Sequence, residues 1–288
     1  MVPPQLVVIV GETASGKSAL ALEIAKKYNG EIICADSRTV YKGMDIGTAK
    51  PSTLERSEVK HHLLDILEPS EPFTAANFKN LANKAIVDIV SKGKLAIMVG
   101  GTGLYIDGVI FNYAFLPPVP TEERETLQKL SVAQLQEILK TEKIPLPLNK
   151  KNPRHLIRAI ETNGAIAVKN GLRKNTIILG IRNNNQLLED TIIQRTKTMF
   201  EHGLEREVQD LANKYGWDAP GMSAVGYHEW FTYFVRKNDL DQTKQLIQQH
   251  TLQYARRQRT WFRRNPHIAW VQNKQEAIQL VETFLQHK

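Results

Sequence analysis

Two patterns of apolar and polar positions alternate along the chain. Short unbroken apolar runs stand at Leu6-Val7-Val8-Ile9-Val10, Ile32-Ile33-Cys34-Ala35, Leu95-Ala96-Ile97-Met98-Val99 and Ile177-Ile178-Leu179-Gly180-Ile181. Runs this short, without polar alternation, predict strands buried on both faces. Between them apolar residues recur at helical spacing. A helix is predicted from Ala19 to Lys27, ended by Asn29-Gly30, and another from Thr74 to Ser91, ended by Gly93. Alternating strands and helices predict an α/β fold, a parallel sheet flanked by helices.

Prolines interrupt this order at Leu116-Pro117-Pro118-Val119-Pro120 and Ile144-Pro145-Leu146-Pro147-Leu148, bracketing one or two amphipathic helices over Thr121 to Thr141. The pattern predicts a small helical insertion over 116–153, between core segments 1–115 and 154–288. A helix restarts at Asn152-Pro153, and a strand returns over Asn175 to Ile181. One long helical stretch then begins near Gln186 and carries Ile192, Arg195, Met199, Gly203, Leu204 and Val208. Strand Ile268 to Val271 and an amphipathic helix close the chain.

The first strand runs into Gly11-Glu12-Thr13-Ala14-Ser15-Gly16-Lys17-Ser18, which opens the first helix, the context of a phosphate-binding loop. Its backbone N–H groups and the helix N-terminus suit a di- or triphosphate. Lys17 adds a charge, Ser18 a hydroxyl for Mg²⁺, and Gly11 and Gly16 permit close backbone approach. The fold expected is therefore of the P-loop NTPase type. Asp36 and Ser37 end the second apolar segment and should face the same crevice, either as a base near a phosphate or as a turn cap. Gly100-Gly101-Thr102-Gly103 ends the next strand, which lacks the Asp that a kinase would use to hold Mg²⁺. His61 and His62 diverge as neighbours and have no ligand companions at suitable spacing, so they predict no metal centre.

Composition adds a partner. The 288 residues are 42% hydrophobic and 24% charged, as in ordinary soluble proteins, but the formal charge is +8. No acid lies between Glu142 and Glu161, where Lys143, Lys150, Lys151, Arg154 and Arg158 occur. None lies between Asp241 and Glu276, where Arg256, Arg257, Arg259, Arg263 and Arg264 are interleaved with Tyr254, Trp261 and Phe262. On one helix Arg256, Arg259, Arg263 and Arg264 form a stripe, with Tyr254 and Trp261 able to face inward, a surface suited to phosphates and unpaired bases. Cys34, the only cysteine, reads as a buried structural thiol. No leader and no apolar run long enough to cross a bilayer is seen, so a cytoplasmic protein is expected.

Six stretches resemble the tRNA dimethylallyltransferases, also called tRNA isopentenyltransferases: the phosphate loop, Asp36-Ser37-Arg38-Thr39-Val40-Tyr41-Lys42-Gly43-Met44-Asp45-Ile46-Gly47-Thr48-Ala49-Lys50-Pro51, His62-Leu63-Leu64-Asp65, Ile192-x-x-Arg195-x-x-x-Met199, Ala224-Val225-Gly226-Tyr227-His228 and Gln258-x-Thr260-Trp261-x-Arg263. This chain departs from the family with Glu12 for a usual proline and His228 for a usual lysine or arginine. The resemblance implies transfer of a dimethylallyl group from dimethylallyl diphosphate to N6 of the adenosine 3′-adjacent to the anticodon. The implied partner is the tRNA anticodon stem-loop, the cofactor Mg²⁺ on Ser18, and the expected state a monomer. Asp36 is implied as base, with Thr13, Lys17, Thr102, Arg124 and Arg195 also catalytic, and the loop from Gly11 to Ser18 with Arg195 holding diphosphate. Contact with tRNA is implied for Asp36, Ser37, Arg38 and Thr39; for Arg154, His155, Leu156, Ile157 and Arg158; for Gly226, Tyr227 and His228; and for Arg256, Arg257, Arg259 and Arg263. A small-molecule or nucleotide kinase shares the loop, and an enzyme prenylating free adenine nucleotides shares the front half but has no use for the Arg-rich rear helix. A pure RNA-binding module leaves the loop, Asp36 and Thr102 unexplained.

Overall fold

The structure, a computed structural model, describes residues 3–116 and 121–286. In chain order its elements are β1 (Leu6–Gly11), α1 (Lys17–Lys27), β2 (Gly30–Cys34), α2 (Thr53–Glu58), β3 (His61–His62), α3 (Ala75–Ser91), β4 (Leu95–Gly100), α4 (Gly103–Ile110), α5 (Thr121–Gln128), α6 (Val132–Thr141), α7 (Pro153–Glu161), β5 (Thr176–Ile181), α8 (Asn185–Glu201), α9 (Leu204–Tyr215), α10 (Trp230–Phe234), α11 (Leu240–Phe262), β6 (Ile268–Val271) and α12 (Lys274–Gln286). They divide into two compact units, Met1–Ile110 with Leu172–Lys288, and Phe111–Gly171.

The first unit is built on a six-stranded sheet of order β3-β2-β4-β1-β5-β6, with every pairing parallel. Val8 of β1 lies in register with Met98 on one side and Ile178 on the other. Strands β1, β2 and β4 are buried along their whole length, because helices cover both faces. On one face Leu20 and Ile24 of α1 and Ala277 and Val281 of α12 pack on Val7, Ile9, Ile32 and Ile97. The alternate side chains, Leu6, Val8 and Val10, are equally buried beneath α3, α4 and α11. Full burial of each large apolar side chain contributes about 1.5–3 kcal/mol, so this double layer dominates the unit's stability.

The second unit has its own core of Leu127, Leu135, Leu139, Ile144, Leu156 and Ile157, contributed by α5, α6 and α7 with the chain that follows α6. Ser131 caps α6 through a reciprocal bond with Gln134, and Asn152 caps α7 with Pro153 in its first turn. The predicted boundaries therefore move. Helix α7, assigned by sequence to the second core segment, belongs with the insertion, which extends over Phe111–Gly171 and not 116–153. Of the predicted linker Leu116 to Pro120, residues 117–120 lie outside the described residues.

Other differences are local. The long helix expected from Gln186 breaks at Gly203, whose φ of 89° ends α8 and starts α9. Strand β3 was not expected; it is a two-residue edge paired with Ile32 and Ile33. Helices α2 and α4 were also missed, and β2 ends at Cys34, short of Ser37.

Candidate active site

The order β2-β4-β1 sets the carboxyl ends of three adjacent strands side by side, so the phosphate loop, Asp36 and Thr102 share one sheet edge. In the loop, Ala14 (φ 62°) and Gly16 (φ 86°) are left-handed, curling the backbone into a concavity at the N-terminus of α1. Gly11 is sterically required. A Cβ there would lie 2.5 Å from the Ile181 carbonyl oxygen and 2.7 Å from Ser15 Oγ. The buried Ser15 hydroxyl has no hydrogen-bond partner in the protein. Lys17 Nζ donates to the Glu12 carbonyl at 3.1 Å, leaving two of its protons for an anion. Burial lowers the Lys17 pKa to about 8, with Arg195 adding to the effect and Asp36 opposing it. Ser18 is exposed at the first turn of α1, a hard oxygen donor of the kind Mg²⁺ takes alongside phosphate oxygens.

Arg195 comes from α8 to the same place. Its Nη1 donates to Thr13 Oγ1 at 3.0 Å and its Nη2 to the Thr48 carbonyl at 3.4 Å. Burial lowers its pKa, again against Asp36. The loop bearing Thr48 is itself tightly held. Glu207 accepts the backbone N–H groups of Asp45, Ile46 and Gly47 at 3.0, 2.7 and 3.0 Å, and the Tyr227 hydroxyl at 2.6 Å. Buried Lys50 donates to the Tyr41 carbonyl, to Asp45 at 2.9 Å and to Asp65, which also accepts from Arg56 at 2.8 Å. Much of the Asp36-to-Pro51 stretch and the Asp of His-Leu-Leu-Asp are thus struts that place a carbonyl under Arg195.

Across the crevice, Asp36 accepts the Arg38 N–H at 2.8 Å, so it caps its own turn while keeping its second oxygen available. The Ser37 N–H donates to Thr102 Oγ1 at 3.1 Å. Arg38 reaches the Pro220 carbonyl at 3.0 Å and Ser223 Oγ at 3.2 Å. Two residues of α11 complete the site. The Tyr254 phenol is pushed up to about 12 by burial, with Asp36 adding to the effect. Gln258 accepts the Thr13 N–H at 2.7 Å and donates to the Gly101 carbonyl at 3.0 Å, linking the loop to the Gly-Gly-Thr turn. Neither was singled out from sequence as a site residue. The available signal was a glutamine one helical turn after an inward tyrosine, a polar group on a buried face.

Several expectations are corrected. Glu12 does not place its carboxylate toward a bound phosphate; it points away, fully buried, into a two-point ion pair with Arg259 at 2.7 and 2.8 Å. Arg259, expected on the RNA-facing stripe, is consumed by that pair and by Asn183 and Asn185. Arg256, Arg257 and Arg263 do face solvent. Trp261, expected inward, is 38% exposed and donates to Asp107 at 3.1 Å. Thr39, Gly226 and Tyr227, expected at the RNA surface, are buried, as are Leu156 and Ile157 in the second unit's core, whereas His228 is exposed. Within the second unit, Arg158 and Arg124, the latter expected to be catalytic, converge on the buried Glu161 carboxylate at 3.1 and 3.5 Å. Arg154 and His155 are exposed on α7. Cys34 is buried with its thiol pushed up to about 12, as expected for an inert side chain.

Residues 39–265 match the family described as IPP transferase. The tRNA dimethylallyltransferase of Acetivibrio thermocellus is 41% identical over 290 residues, covering 94% of this chain and 92% of its own. That of Staphylococcus epidermidis is 36% identical, covering 98% and 90%. Among solved structures, the tRNA isopentenylpyrophosphate transferase of Bacillus halodurans superposes with a TM-score of 0.76 at 33% identity, over 99% of this chain and 96% of that one. A eukaryotic dimethylallyltransferase acting on tRNA shares the fold with a TM-score of 0.82 at 23% identity, over 99% and 80%.

Proposed function

The chain belongs to the IPP transferase family, and on that premise we propose that it transfers a dimethylallyl group from dimethylallyl diphosphate to N6 of the adenosine 3′-adjacent to the anticodon in tRNA, releasing diphosphate. Membership sets the kinase reading aside. The observation that carries the proposal is the meeting of Thr13, Lys17 and Arg195 on one side of a crevice with Asp36 on the other.

In this reading the bond between the allylic carbon and the bridging oxygen breaks as the bond from N6 forms, and charge gathers on the departing diphosphate. Loop N–H groups, Lys17 and Arg195 neutralise it in a poorly hydrated pocket, where such contacts are strongest. Thr13 Oγ1 already accepts from Arg195, so its own proton is directed elsewhere, toward the bridging oxygen. Mg²⁺ held by Ser18 and phosphate oxygens would supply further charge neutralisation. Asp36 takes the N6 proton, and the Ser37–Thr102 contact fixes the wall against which the adenine lies. An adenine enters only after leaving its stack. Arg256, Arg257 and Arg263 on the solvent side of α11 suit the flanking phosphates.

Labelled dimethylallyl diphosphate offered with unmodified tRNA or with AMP tests this. Label is expected in tRNA, on the adenosine beside the anticodon; label in AMP alone would overturn the assignment of acceptor.

A further inference from the structure

Among the ion-paired carboxylates of the described residues, four have side chains 3% exposed or less, and three of these face a permanent cation. Glu12 has Arg259, Glu31 has Lys94, and Glu161 has Arg124 and Arg158. The fourth, Glu229, is 1% exposed and among the described residues pairs only with two imidazoles, His228 and His250. A buried carboxylate without a fixed counter-charge is costly, and imidazoles are the preferred companions of a transition-metal ion.

The geometry points to a metal site. Oε1 of Glu229 lies 3.2 Å from His228 Nε2 and 2.8 Å from His250 Nδ1, and the two rings stack at 5.3 Å with 14° between planes. The three ligand atoms lie within 4.8 Å of one another. A tetrahedral ion with bonds of about 2.0 Å needs ligand atoms about 3.3 Å apart, a spacing small side-chain rotations would reach. The outer contacts are those of metal ligands. His228 Nδ1 lies 2.9 Å from the Ala224 carbonyl, which can only accept, so Nδ1 carries a proton and Nε2 is the nitrogen presented to the Glu229 oxygen. The other oxygen of Glu229 is held by the Gly226 N–H at 2.8 Å.

We propose that His228, Glu229 and His250 bind one zinc-like divalent ion, with the half-exposed histidines leaving its fourth position to water. The ion would staple α11 to the turn before α10. The cluster of Glu31, His62 and Asp88 is the poorer candidate, because Lys94 already lies 2.8 Å from Glu31.

The test uses the full chain stripped with EDTA and then titrated with Zn²⁺, bound metal being measured after equilibrium dialysis, and with Co²⁺, read by its visible spectrum. One equivalent of zinc and a tetrahedral Co²⁺ spectrum are expected. His250→Gln should weaken binding by at least about 100-fold. His228→Lys places a permanent cation beside the buried Glu229 carboxylate, so it should fold, lose zinc binding, and melt at a temperature that zinc no longer raises. No zinc retained by the wild-type chain would overturn the proposal. So would equal binding by H228K and H250Q, which would put the ion elsewhere.

Discussion

Replacing Arg259 by leucine should destabilise the protein far more than loss of a surface arginine would. Arg259 gives two charge-assisted bonds to a Glu12 carboxylate whose side chain is wholly buried. With the guanidinium gone, only the Asn183 N–H at 3.2 Å among the described residues still donates to that carboxylate. Stranding a buried charge costs about 3–5 kcal/mol, and at about 2 °C per kcal/mol for a chain of this size the midpoint should fall by about 6–10 °C. Adding Glu12→Gln removes the charge and keeps an acceptor for Asn183, leaving only lost neutral bonds, about 1–2 kcal/mol. The double variant should therefore recover about 1–4 kcal/mol relative to R259L, a coupling that a double-mutant cycle by urea or thermal unfolding reads directly. The reasoning is refuted if R259L melts within 2 °C of wild type, or if the double variant is less stable than R259L. At the RNA surface the same variant should leave the salt dependence of tRNA binding unchanged, since Arg259 is already occupied.

Other outcomes follow from the same geometry. Arg256→Gln and Arg263→Gln should each lower the slope of log affinity for tRNA against log salt by about 0.9, measured by filter binding across salt concentrations. Lys17, with a pKa held near 8, is partly neutral in the unliganded protein above that value, and an anion restores its charge. Diphosphate binding near pH 8 should therefore take up protons and weaken as pH rises, which calorimetry in buffers of different ionisation enthalpy detects. The same shift makes stability rise through the window from pH 8 to the unfolded value of 10.5, because the unfolded chain then holds the extra proton. Gln258→Leu strips the Thr13 N–H and the Gly101 carbonyl of a shared partner and should reduce kcat/KM by about tenfold or more while leaving the tRNA salt slope intact.

Strands β1, β2 and β4 were legible because both of their faces are buried, which writes them as unbroken apolar runs, and β5, buried at Ile178, Leu179 and Gly180, shares the pattern. The phosphate loop was legible because its function is local, eight successive residues between a strand and a helix. What was not legible depended on distant contacts. Arg259 belongs to the same arginine-rich run as Arg256 and Arg263, and only its partner, 247 positions away, turns it from the surface stripe to an interior one. Tyr227 sits in a motif read as RNA-facing, yet its hydroxyl is drawn inward by Glu207, which simultaneously holds the loop beneath Arg195. Strand β3 has no apolar run to announce it, being two residues at a sheet edge. Helix α2 is a six-residue segment fixed by the Ser52–Glu55 capping box and buries none of its residues, so periodicity gave no trace of it.

The measurement closest to the central claim is single-turnover transfer by Asp36→Asn with saturating tRNA and dimethylallyl diphosphate. The account predicts unchanged tRNA affinity and a transfer rate lower by about 10²-fold or more, the loss expected for a positioned base. A D36N enzyme that transfers the prenyl group at close to the wild-type rate would contradict it.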